Sequence, residues 1–163
     1  MVVALVLIAG LIATIVDIRT RRVPNVLTMS VASVGLLLAM GGWSEVTAGQ
    51  ALMGLALGLA IMMPGNVLGA TGAGDVKLVA AFGTLLGPQG ILEAFIRMAI
   101  VGGVIALVVA ASRGRLRETI NGTTLLVTTA GRAAAMVTDP AVNNRFPYAP
   151  AIAIGAALMV LGW

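Results

Sequence analysis

Six stretches of apolar residues, divided by short polar or glycine-rich joints, make up most of the chain. They run Met1 to Val16, Val26 to Met40, Gln50 to Val67, Val76 to Leu86, Ile91 to Ala111 and Ala149 to Trp163. A bilayer core needs about 20 apolar residues to be crossed as helix, so each stretch reads as a membrane span, the shorter ones ending in the interface. The fourth is too short alone. It spans if it takes in Asp75 and Gly87-Pro88, or if neighbouring helices bring the boundary inward. The predicted fold is all-α: one polytopic membrane bundle of about six transmembrane helices, a single domain over residues 1–163.

The joints alternate in charge. Arg19, Arg21 and Arg22 follow the first span, Lys77 follows the third, and Arg113, Arg115, Arg117, Arg132 and Arg145 lie between the fifth and sixth. All of these fall on one side. Gly41-Gly42-Trp43-Ser44-Glu45 and Gly87-Pro88-Gln89-Gly90 fall on the other and carry no lysine or arginine. The positive-inside rule then puts both termini outside the cytoplasm. No basic residue precedes the first span, which is therefore expected to remain rather than be cleaved as a signal peptide. Trp43 and Trp163 read as anchors at the outer interface.

Composition agrees and removes chemistry. The 163 residues are 60% hydrophobic and 10% charged, with a mean hydropathy of +1.07, whereas soluble domains carry about 25% charge. There are no cysteines and no histidines. Disulfides, thiolate nucleophiles, imidazole bases and His- or Cys-type metal sites are thereby excluded, and neither metal nor cofactor is implied. The net charge of +4 belongs to helix ends facing anionic headgroups, with only 4% aromatics, so nucleic acid is not an expected partner. The carboxylates are Asp17, Glu45, Asp75, Glu93, Glu118 and Asp139.

Two of these six stand apart. Asp17 and Asp75 each sit at the end of an apolar run, where a carboxylate is costly enough to mark function. The topology puts both at the cytoplasmic face. Two carboxylates held close can share a proton, one acting as base on a water while the other donates to a scissile carbonyl. Around Asp75, Gly72 and Gly74 would allow unusual backbone dihedrals and close approach of a substrate strand. After Asp17, Pro24 and Asn25 suit a turn and a helix start. Taken singly, Gly-x-Gly-Asp also describes a capped helix start, and Asp17 a boundary residue paired with a nearby arginine. Their coincidence on one face makes the pair a candidate catalytic dyad.

The chain resembles the type IV prepilin peptidases, which belong with the Gly-x-Gly-Asp membrane aspartyl proteases. The resemblance rests on Asp17 followed by Val23-Pro24-Asn25, on Gly72-Ala73-Gly74-Asp75-Val76-Lys77-Leu78, and on the six-span layout. Phe146-Pro147-Tyr148-Ala149-Pro150-Ala151-Ile152-Ala153 resembles the family's closing segment. Lacking the cysteine-bearing amino-terminal region of the long form, the chain looks like the short form associated with Flp-type pili. The resemblance implies cleavage of a prepilin leader, commonly after a glycine, at the cytoplasmic face of a bacterial inner membrane. It implies catalytic roles for Asp17 and Asp75, supporting roles for Gly72 and Gly74, a Flp-type pilin precursor as partner, and contacts with pilus or secretion machinery. Amino-terminal methylation, which the long form also performs, is not expected without that region.

Other features read as structure. Lys77, two residues beyond Asp75, points about 200° away from it on a helix and is expected to snorkel as an anchor. Glu93 and Arg97 are spaced to pair with each other. Residues 112–145 carry a broken apolar pattern that fits an interfacial helix, a substrate-gripping loop or disorder, and Glu118 and Asp139 could attract a basic leader. Two rival functions remain at this stage. A small transporter would also carry aspartates in an apolar bundle, with Pro64-Gly65 and Gly69 as a broken helix. A non-catalytic subunit of a pilus or secretion machine would use Gly54-Leu55-Ala56-Leu57-Gly58 as a packing face.

Overall fold

A computed structural model of the chain describes residues 1–67, 71–112 and 148–162. The expectations for residues 112–145 beyond Ser112, for Glu118 and Asp139, and for the arginines from Arg113 to Arg145 lie outside the described residues, as do Gly69, Phe146, Pro147 and Trp163. The described residues form five helices: α1 (Val2–Thr20), α2 (Asn25–Met40), α3 (Ala48–Val67), α4 (Ala73–Ser112) and α5 (Ala149–Val160). Three of them, α1, α3 and α4, are long and apolar enough to cross a membrane, while α2 and α5 are shorter apolar helices.

The count of five differs from the expected six because α4 runs through two of the predicted spans. It is not one straight rod. Gly87 interrupts it at φ 69°, ψ −177°, a backbone region open essentially only to glycine, and Pro88 follows in the first-turn position that tolerates proline. The limb 73–86 runs antiparallel to α3: Gly58 lies against Ala80, and Gly87 against Val46 and Gln50. Beyond the break, 88–112 turns back along α5, with Gly90 against Met159 and Gly102 against Ala151. The chain therefore reverses at Gly87.

The limb 73–86 is the centre of the bundle. Val76, Leu78, Val79, Ala81, Phe82 and Leu85 are all buried, so from Leu78 onward this limb is wrapped in protein on every side and is apolar nearly all round for that reason. The buried Thr84 satisfies its hydroxyl on the Ala81 carbonyl at 2.8 Å. A helix shielded in this way need not match the bilayer thickness, which explains how so short an apolar run can serve. Small residues allow the close packing: a Cβ on Gly54 would stand 2.8 Å from the Gly83 carbonyl carbon, and one on Gly58 2.9 Å from the Ala80 Cα. The glycine-rich stripe of α3 is thus a helix–helix seam. The outward faces carry exposed Ile8, Leu11, Leu37, Met53, Ile96 and Val108, the pattern of a bundle bathed in hydrocarbon rather than water.

Local signals set the joints. Thr47 and Gln50 form a reciprocal cap on α3, the Thr47 N–H donating to Gln50 Oε1 at 2.9 Å and the Gln50 N–H to Thr47 Oγ1 at 3.3 Å. At the end of α1, Arg21 takes the left-handed conformation (φ 52°) and its N–H donates to the Asp17 carbonyl at 2.7 Å. That sharp stop sends the chain into α2 through a connection of a few residues.

Candidate active site

One end of the bundle gathers the last turn of α1, the start of α2, the first turn of α4 and the first turn of α5. Asp17 and Asp75 both lie at that end and both are buried, 5% and 8% exposed. They are the only buried carboxylates among the described residues. Arg19, Arg21 and Arg22 stand exposed at the same end.

Each carboxylate is seated on a helix N-terminus. Asp75 is the third helical residue of α4, and its Oδ2 accepts from the Gly72 N–H at 3.2 Å, as the acidic member of a capping box reaches back to the cap residue. Helix formation itself therefore orients this side chain. Asp17 Oδ2 accepts from the Ala149 N–H at 3.3 Å, across 132 positions of sequence. Ala149 opens α5 and Pro150 follows it, so the adjacent position offers no competing N–H. Oδ1 of each carboxylate carries no hydrogen bond among the described residues. The pair thus has one fixed oxygen and one uncommitted oxygen apiece.

Of the two uses expected of these glycines, close approach and unusual dihedrals, only the first has a counterpart, and what approaches is the chain's own backbone. Neither Gly72 nor Gly74 has a positive φ. A Cβ on Gly74 would stand 3.1 Å from Val23 Cβ and 3.3 Å from the Val23 nitrogen and oxygen, and one on Gly72 would stand 3.0 Å from Asp75 Oδ2. Gly74 lets the α1–α2 connection lie directly on the turn bearing Asp75, and Gly72 leaves that carboxylate room.

Pro24 and Asn25 occupy slightly different places from those expected. Pro24 is the N-cap of α2 in extended conformation (φ −67°, ψ 138°), just before the first turn, and α2 has no side-chain cap. The Asn25 side chain instead accepts a hydrogen bond from Lys77 Nζ at 2.9 Å. Lys77, expected to snorkel, instead reaches the start of α2. Glu93 and Arg97 pair at 3.2 Å, as their spacing predicts. No group of three or more potential metal ligands occurs among the described residues.

Sequence reasoning missed one participant, the Ala149 N–H. A backbone amide carries no side-chain signature, although Tyr148-Ala149-Pro150 marks a helix start. A further buried group, Thr71 Oγ1, has no hydrogen-bond partner among the described residues. Its backbone ties the Gly-rich turn to the end of α3, the Thr71 N–H donating to the Gly65 carbonyl at 3.1 Å and Asn66 Nδ2 to the Thr71 carbonyl at 3.0 Å.

No curated protein and no solved structure matches the chain. A family model does, over residues 4–107, a range that holds both aspartates, the α1–α2 connection and nearly all of α4. Apolar helices, two buried carboxylates at one end and this match lead to one conclusion: the chain is a membrane protein that belongs to the type IV leader peptidase family.

Proposed function

We propose that the protein is an aspartyl endopeptidase that removes the leader of type IV prepilins, with Asp17 and Asp75 as its catalytic dyad. The observation that carries this reading is the burial of two carboxylates at one end of the bundle, from distant parts of a chain that has no histidine or cysteine. Family membership supplies the reaction class. A general base and a general acid are the minimum for hydrolysing a peptide without a covalent adduct, and a dyad holding one proton between its members supplies both.

The ionised member takes a proton from water as the water oxygen bonds to the scissile carbonyl carbon. The protonated member delivers its proton to the carbonyl oxygen, giving a tetrahedral diol. The member that took the water proton then delivers it to the amide nitrogen, while the other, now ionised, takes a proton from a diol hydroxyl. The C–N bond breaks, and the leader acid and the mature amine are released with the dyad restored to one proton. The free Oδ1 atoms are suited to these transfers, while the Gly72 and Ala149 amides hold the other oxygens still.

The arginines beside the site support a cytoplasmic active site in a bacterial inner membrane, with both termini outside. A prepilin suits that location. Its polar leader gives way to an apolar helix, so its scissile bond reaches the interface as extended chain, before the helix locks its carbonyls into internal bonds. The short-form sequence pattern supports a Flp-type pilin as substrate. The test is cleavage of a Flp-type prepilin by purified protein in lipid. Asp17→Asn and Asp75→Asn are each expected to lower the rate by at least about 10³-fold, within the range of acid–base catalysis. Either variant cleaving at the wild-type rate would refute the dyad.

A further inference from the structure

Asp17 and Asp75 are carried by helices that scarcely touch each other. α1 packs chiefly on α5, whereas the first limb of α4 packs on α3 and α2. The separation of the two carboxylates is therefore set through intermediaries. One is α5, through Ala149. The other is the segment that follows Asp17, residues 23–25, which rests on the turn that carries Asp75.

That second docking has two points. Val23 is buried against Gly74, an apolar contact without directional preference. Lys77 Nζ donates to Asn25 Oδ1 at 2.9 Å, a directional and charge-assisted bond between residues 52 positions apart. Asn25 is free to make it because its amide does not cap α2. Lys77 is the only lysine among ten basic residues, and a flexible stem ending in a compact ammonium reaches one amide oxygen where a guanidinium fork would bring surplus donors.

We propose that Lys77 is a positioning residue that clasps the α1–α2 connection to the Asp75 turn through Asn25 and so fixes the spacing of the dyad. The proposal rests on the dyad reading above. It assigns Lys77 no proton transfer and no contact with substrate. Both partners are exposed, so loss of the clasp changes geometry more than global stability.

The test uses the full-length protein in lipid, with initial rates of prepilin cleavage across substrate concentrations and thermal unfolding in parallel. Lys77→Met and Asn25→Ala are each expected to lower kcat about tenfold, a scale reached by sub-ångström misplacement of reacting groups, with KM and Tm unchanged. The double variant falls no further than either single one, and Lys77→Arg recovers part of the loss. The cysteine-free chain also permits spin labels at Arg22→Cys and Ala73→Cys, whose separation is expected to lengthen or broaden in Lys77→Met. Wild-type kcat in Lys77→Met, or losses that multiply in the double variant, would overturn the clasp. Should the wild-type protein cleave no prepilin, the functional reading fails by itself, and an unchanged interspin distance in Lys77→Met would then overturn the clasp independently.

Discussion

Replacing Gly74 by alanine adds a single methyl group at the most crowded point beside the dyad. The new Cβ would stand 3.1 Å from Val23 Cβ and 3.3 Å from the Val23 backbone nitrogen and oxygen, so the two segments must part by a few tenths of an ångström. Overpacking of this kind costs about 1–3 kcal/mol. The gain from replacing glycine in a helix, roughly 0.5–1 kcal/mol, offsets part of it and leaves a net penalty of about 1 kcal/mol. Two outlets exist for that penalty. If the α1–α2 connection holds its place, the protein loses stability; if it lifts, the Asp75 turn shifts against Asp17 and the penalty appears in the rate. The connection has few residues and is held by the Arg21 turn and the Lys77 bond, yet it lies at the surface, where lifting meets little resistance. The expected result is a fall in kcat of about tenfold, equivalent to 1.4 kcal/mol, with Tm nearly unchanged. The assay is prepilin cleavage in lipid beside thermal unfolding, with Gly103→Ala as control, since a Cβ there meets nothing within 4 Å. Gly74→Ala matching Gly103→Ala in both rate and Tm would refute the argument that the contact with Val23 positions the site.

Gly54→Leu should break the α3–α4 seam, because the backbone of Gly83 leaves no room for a side chain; a loss of at least about 3 kcal/mol is expected, read as lower folded yield and Tm in detergent. Gly87→Ala should cost about 1–3 kcal/mol at the reversal within α4, measured by thermal unfolding. Glu93→Gln removes one partner of an i, i+4 pair far along the chain from the dyad, and should change stability by less than about 0.5 kcal/mol while leaving cleavage unchanged.

Much of this site was legible in the sequence because charge is so scarce there. In a chain with only six carboxylates, two aspartates at the ends of apolar runs are conspicuous, and both proved buried at the same end of the bundle. Helix number was less legible. Hydrophobic length measures a span against the bilayer, but 78–85 is surrounded by other helices, and the two limbs of α4 are parted by the single non-helical residue Gly87 rather than by a loop. Lys77 shows the limit of periodicity. The helical wheel turns it away from Asp75, but no wheel names the neighbouring helix its side chain meets, here the start of α2. The roles of Gly72 and Gly74 were confused for a related reason: sequence cannot separate glycine used for its dihedrals from glycine used for its size.

The bond from Ala149 to Asp17 joins two of the described helices across 132 positions of sequence, and that bears on the timing of synthesis. Translation proceeds at about 5–20 residues per second, so Asp17 waits on the order of ten seconds for Ala149 to be made. Through that interval the nascent chain holds both aspartates but lacks one of the amides that seat them. On the dyad reading, a chain stalled before Ala149 is inert, and activity appears only once the helix that opens with Ala149 has been made.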